Sequence, residues 1–169
     1  MAGSGRISLL VSKELQTLTQ AVKEIPREVA AENRKHTRIN AEPIWRESVR
    51  GNVTTRLETR VLSDTARVSV SDTNVMLKSA VVGKMADGTP KSRLASAAEF
   101  GADPNKMIQS KTKGGKSYTR RRGRQFKAPR RGGYVVYPAA RDSIPRLASL
   151  WVQTTIRTIH EAFAKGGAR

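Results

Sequence analysis

Between Lys106 and Gly133 the chain cannot be core. These 28 residues hold eleven Lys or Arg and no Asp or Glu, with Gly114, Gly115, Gly123, Gly132 and Gly133 interleaved. A segment this polar buries too little apolar area to offset the entropy of ordering it. Alone it is disordered or a wet hairpin. Any fold must be built from what lies on either side and must let this arm out into solvent. The chain as a whole carries +18, from 32 basic and 14 acidic residues. Outside the arm, 21 basic residues face all 14 acidic ones, a net of +7. That remainder reads as an ordinary, mildly basic domain, long enough for one hydrophobic core.

The flanking sequence predicts an α+β fold. Leu15, Leu18, Val22, Ile25 and Val29 recur at steps of three and four, the apolar stripe of an amphipathic helix that Ser12 can cap. Pro26 predicts a break near Ile25. A second helix is expected over Asn40–Arg50, with Asn40 as N-cap, Pro43 in the first turn and Gly51-Asn52 at the end. The period then becomes two. Val53, Thr55, Leu57, Thr59 and Val61 alternate with polar residues, as in a half-buried strand. Ala66, Val68 and Val70 predict a return strand after the turn Ser63-Asp64-Thr65. Val75–Val82 predicts a third strand after Asp72-Thr73-Asn74, which completes an antiparallel meander.

Gly83–Pro90 reads as a loop, and Ser92–Glu99 as a short Ala-rich helix stopped by Gly101. Beyond the arm, Tyr134–Tyr137 is expected to be a short strand closed by Pro138. Ser143 is then expected to cap a long final helix. Leu147, Leu150, Trp151, Ile156, Ile159 and Phe163 give that helix the face expected to cover the sheet. The expected organisation is a flexible head over 1–12, a single α+β domain formed by 13–105 and 134–165, the arm over 106–133, and a flexible tail over 166–169.

Catalytic chemistry does not assemble from these residues. His36 and His160 have no metal-ligand partner at i+4 and no Cys nearby. The absence of Cys excludes disulfides and thiolate chemistry. Gly114-Gly115-Lys116-Ser117 has the look of a phosphate-loop ending, but it lacks the earlier glycine and a preceding strand. The reading is therefore a non-enzyme with no cofactor and no metal. The apolar run Ile7–Val11 is too short for a signal core or a membrane span, so a soluble, cytoplasm-made protein is expected.

The arm does point to a ligand class. Lys111, Lys113, Lys116, Arg120, Arg121, Arg122, Arg124, Lys127, Arg130 and Arg131, with Lys106 at the start, lack any local counter-charge. They suit phosphates, with Tyr118 and Phe126 able to stack on bases, or an acidic protein surface. A nucleic-acid-binding protein that uses the arm is one reading. A meander also leaves edges that a neighbour's strand can cap, which favours a ring of identical subunits.

Two short elements flank the arm: Ala95–Gly101, which contains Glu99, Phe100 and Gly101, and Tyr134–Ala140, which contains Pro138. Their order, with helices before and a long helix after, resembles the tailed-phage neck proteins, called head–tail joining, head–tail connector or tail-completion proteins. That family often shows A-x-x-x-E-[FY]-G after its meander and an aromatic-x-x-P-A element opening its last helix. The likeness runs from about Leu15 to Phe163. The chain departs from the pattern in its long arm and in Val136-Tyr137 before Pro138, where the family often has Phe.

The resemblance implies an architectural role in the virion neck. It implies a ring, often of six copies, between head connector and tail tube or tail terminator, with genomic DNA passing through the lumen and no membrane contact. The two motifs are expected to be structural. Gly101 should close a helix in left-handed geometry, Phe100 should pack into the core, and Pro138 should turn the chain into the last helix.

Overall fold

The computed structural model describes residues 26–166 apart from residues 73 and 113. The expected head, the stripe from Leu15 to Ile25 with its Ser12 cap, the residues after Gly166, Lys113, and Thr73 of the Asp72–Asn74 turn lie outside them. The fold is α+β, as expected. Its elements are helix α1 (Arg27–Gly51), a one-turn helix α2 (Arg56–Glu58) that continues into a π turn (Thr59–Ser63), strands β1 (Arg67–Val70) and β2 (Val75–Lys78), helix α3 (Lys91–Phe100), strands β3 (Met107–Lys111) and β4 (Ser117–Arg121), and helix α4 (Val136–Gly166). Among the described residues no helix is long and apolar enough to cross a membrane.

Helix α1 starts directly after Pro26, which stands at its N-cap position, and runs unbroken through Pro43. The expected second helix beginning at Asn40 is therefore part of one longer helix. Its buried residues explain the continuity: Ala30, Asn33, Thr37, Ala41, Trp45 and Val49 form one stripe at helical spacing. A break at Asn40 would split that stripe. Pro43 is exposed, so the hydrogen bond it cannot make falls on the outer face. The Asn40 side chain does not cap a helix. Its amide donates to the His36 carbonyl at 3.0 Å.

The expected strand over Val53–Val61 is helical instead. Thr55 caps α2: its hydroxyl accepts the Glu58 N–H, and the Glu58 carboxylate accepts the Thr55 N–H, each within 3.2 Å. The chain then widens into the π turn, closed by the Asp64 N–H on the Thr59 carbonyl at 2.9 Å. The adjacent Val61 and Leu62 are both buried there. The expected three-stranded meander is accordingly a two-stranded ladder, with Arg67 opposite Lys78 and Val70 opposite Val75.

The third expected strand ends early, at Lys78. The Ala80 N–H is held by the Thr65 hydroxyl at 2.6 Å, and Ala80 adopts φ 57, so the chain turns away and leaves Val81 and Val82 exposed.

Helix α4 pairs chiefly with α1 rather than covering the sheet. The Ser48 hydroxyl donates to the Ala139 carbonyl, and the Asn33 amide donates to the Thr155 hydroxyl at 3.1 Å, so the two helices run antiparallel. Helix α1 also carries β1 and β2, and the Trp45 indole N–H donates to the Lys78 carbonyl at 3.1 Å. Trp45, Val49, Val61, Leu62, Val68, Leu77, Val135, Leu147 and Trp151 make one core. Burying an aliphatic or aromatic side chain of this kind contributes roughly 1.5–3 kcal/mol.

Candidate functional site

The expected strand at Tyr134–Tyr137 does not form, and Ser143 does not cap α4. The helix begins at Val136, and Ser143 is buried inside it with its hydroxyl on the Ala140 carbonyl at 3.3 Å. The cap comes from elsewhere. The Glu99 carboxylate, at the end of α3, accepts the N–H groups of Val135 at 3.2 Å, Val136 at 2.7 Å and Tyr137 at 3.0 Å. The fourth position is Pro138, which has no N–H. The first intrahelical bond is Ala139 N–H to the Val135 carbonyl at 3.1 Å. All four donors that a helix start normally leaves open are thus accounted for. A carboxylate there also faces the positive end of the helix dipole.

Phe100 and Gly101 complete the same joint. Phe100 is half-buried rather than sunk in the core, and its ring meets Tyr137 edge-on with centroids 5.3 Å apart. Gly101 has the positive φ of 73 expected at a helix end, but its ψ of −178 is extended rather than left-handed helical. A Cβ at Gly101 would lie 2.1 Å from the Ala128 carbonyl oxygen. Gly133, with φ +68, allows the other close approach: a Cβ there would lie 2.1 Å from a Glu99 carboxylate oxygen.

The arm leaves and re-enters the body at this joint, and its two halves differ. The returning half is tied down. The Ala102 N–H donates to the Lys127 carbonyl at 2.9 Å, the Arg130 N–H to the Phe100 carbonyl at 2.8 Å, and the Tyr134 N–H to the Glu99 carbonyl at 2.9 Å. The Lys127 ammonium lies 2.6 Å from the Glu58 carboxylate and 4.5 Å from the centre of the Tyr134 ring. Arg130 lies over the same ring at 5.2 Å.

Glu58 is buried, and that desolvation is the largest single influence on it, pushing its pKa up. The hydrogen bond from Lys127, the N–H groups of Thr54 and Thr55 and the Lys127 charge together outweigh burial, so the carboxyl titrates below its ordinary value. Lys127 and Arg130, expected among the partner-binding cations, are engaged with the body here.

The outgoing half projects. Strands β3 and β4 form an antiparallel ribbon with Met107 opposite Arg121 and Lys111 opposite Ser117. The Lys116 carbonyl accepts the Thr112 N–H at 2.9 Å across the turn, and Gly115 takes φ 83 there. At the base, the Arg122 N–H reaches the Lys106 carbonyl and the Gly123 N–H the Pro104 carbonyl, both at 3.0 Å. Every residue of β4 is exposed. Among the described residues, Lys106, Lys111, Lys116, Arg120, Arg121, Arg122, Arg124 and Arg131 enter no ion pair. Among the described residues the one side-chain hydrogen bond on the ribbon is Arg120 to the Ser110 hydroxyl at 2.9 Å.

Glu58 and Tyr134 escaped the sequence reading as anchors of the arm. The Thr55-x-x-Glu58 spacing is a capping-box signature that could have revealed the first. No local signal marks the second. A groove along α1 is lined by Arg34, Arg38, Ile39 and Arg46 among others, and its one carboxylate, Glu42, is paired with Arg38 and Arg46. The chain matches no protein-family model, no curated protein and no solved structure.

Proposed function

We propose that this chain is a structural, ring-forming subunit of a tailed-phage neck. It joins the head connector to the tail tube and lets DNA pass through the lumen, without catalysis. One observation carries the reading. The two motifs that resemble the neck family, Ala95–Gly101 and Tyr134–Ala140, form one joint in which Glu99 caps the last helix at Pro138. Motifs that combine into one structural device explain why they would travel together. The arm is then an excursion between two halves of a fixed hinge and does not disturb the body.

Surfaces for neighbouring subunits are available. Among the described residues neither strand of the β1–β2 ladder pairs with a third strand, and Val81, Val82, Ile156 and Phe163 are exposed. The test is light scattering and negative-stain imaging of the purified chain, alone and with its tail-tube partner. Rings that join tails are the expected result. A strict monomer that never enters particles sinks the reading.

A further inference from the structure

We infer that the β3–β4 ribbon is a duplex-DNA-binding element that seats in the major groove. Pairing fixes which side chains share a face. Met107, Gln109, Lys111, Ser117, Thr119 and Arg121 lie on one side, and Ile108, Ser110, Tyr118 and Arg120 on the other. The Arg120–Ser110 bond, between residues on neighbouring pairs of the second face, agrees with this assignment. Arg122 extends the second face by alternation, since its N–H continues the ladder to Lys106. Cations therefore stand on both faces: Lys111 and Arg121 on one, Arg120 and Arg122 on the other.

That two-sidedness selects the ligand. A convex or flat acidic protein surface meets one face of a ribbon and leaves the cations of the other in water. A groove with phosphates along both walls meets both faces at once. The major groove of B-DNA, about 12 Å wide, admits a two-stranded ribbon, whereas the minor groove, about 6 Å wide, does not. Five residue pairs at about 3.4 Å each give a ribbon about 17 Å long. Met107 and Tyr118, which are 56% and 44% exposed, sit on opposite faces and add apolar contact beside the cations along each wall. Backbone pairing already orders the two strands, so ordering them on DNA loses little further entropy.

The experiment is fluorescence anisotropy of a labelled 20-base-pair duplex with the full chain at several salt concentrations. Tight binding is expected, with a log–log salt slope near −5, as about six neutralised phosphates give. Lys111→Ala/Arg121→Ala and Arg120→Ala/Arg122→Ala are each expected to weaken binding at least tenfold and to flatten the slope by about two. Thermal melts should match the parent, because Lys111, Arg120 and Arg121 are exposed and Arg122 makes no side-chain ion pair. Should either pair disturb folding, Lys111→Gln and Arg120→Gln alone carry the same comparison.

Methyl green, a major-groove ligand, should compete, and the minor-groove ligand netropsin should not. Loss of binding from one face only, equal affinity for single strands or polyglutamate, or competition by netropsin alone overturns the inference. It does not rest on the ring: a monomer that binds duplexes keeps it, and a ring that ignores them does not.

Discussion

Glu99 and Pro138 close the start of helix α4 between them: the carboxylate accepts the N–H groups of Val135, Val136 and Tyr137, and Pro138 removes the fourth donor. The cap reaches across the arm, from the last turn of one helix to the first turn of another. It converts two short motifs into one mechanical joint.

Replacing Glu99 should therefore be severe. Glu99→Ala leaves the buried Val135 N–H and the half-buried N–H groups of Val136 and Tyr137 without a charged partner, and about 3 kcal/mol of stability should be lost. Glu99→Gln is expected to lose about 2 kcal/mol, because both carboxylate oxygens accept N–H groups and an amide nitrogen can accept neither. Urea denaturation measures both. Parent-like midpoints would show that the cap is dispensable.

Gly133→Ala should destabilise through Glu99. The added Cβ would lie 2.1 Å from the carboxylate oxygen, and the backbone is at φ +68. In a Glu99→Ala background that collision disappears, leaving the backbone strain of roughly 1 kcal/mol and a close approach of 3.2 Å to the Tyr137 Cβ. A double-mutant cycle should thus be clearly non-additive. Simple additivity would mean that the two residues do not meet.

The Glu58–Lys127 pair predicts an acid-sensitive arm base. The folded-state pKa of Glu58 is depressed below 4.5, so its contribution is fully present above the unfolded value. It disappears as pH falls through the folded value. The stability gap between parent and Glu58→Gln should be constant from pH 7 to 5 and shrink below about 4.3. A gap that widens on acidification contradicts the assignment.

The two halves of the arm should tolerate deletion differently. Replacing residues 107–121 by a two-glycine turn removes only the ribbon, since Lys106 and Arg122 already meet at its base. Stability should stay within about 0.5 kcal/mol of the parent. Deleting Ser110 to Arg131 also removes Lys127, Ala128 and Arg130, which are bound to the body, and should lower the melting temperature sharply. Equal melting temperatures would show that the returning half is not an anchor.

Much of this architecture was legible in the residues. The charge and glycine content of 106–133 excluded it from the core, and its outgoing half is a wet hairpin. The short helix before Gly101 stands close to where its composition put it. The apolar spacing along α4 was readable as far as Trp151, although Ile156 and Phe163 on that face are exposed. Val53–Val61 misled, because nine residues of alternating polarity fit a strand as well as a capped helical turn with a π turn behind it. The capping box at Thr55 and Glu58 tipped the balance.

By itself the sequence determined composition-level facts: which segment could not be buried, which helices had an apolar side, and where a compact, uncompensated positive charge would lie. Only tertiary structure decided where α4 begins and which cations are free. Helix starts are set by whoever satisfies their open N–H groups, and here that is Glu99, supplied from the other side of the arm. A lysine is free or bound according to the carboxylate folded against it, and Glu58 is placed against Lys127 by the fold, not by proximity in the chain.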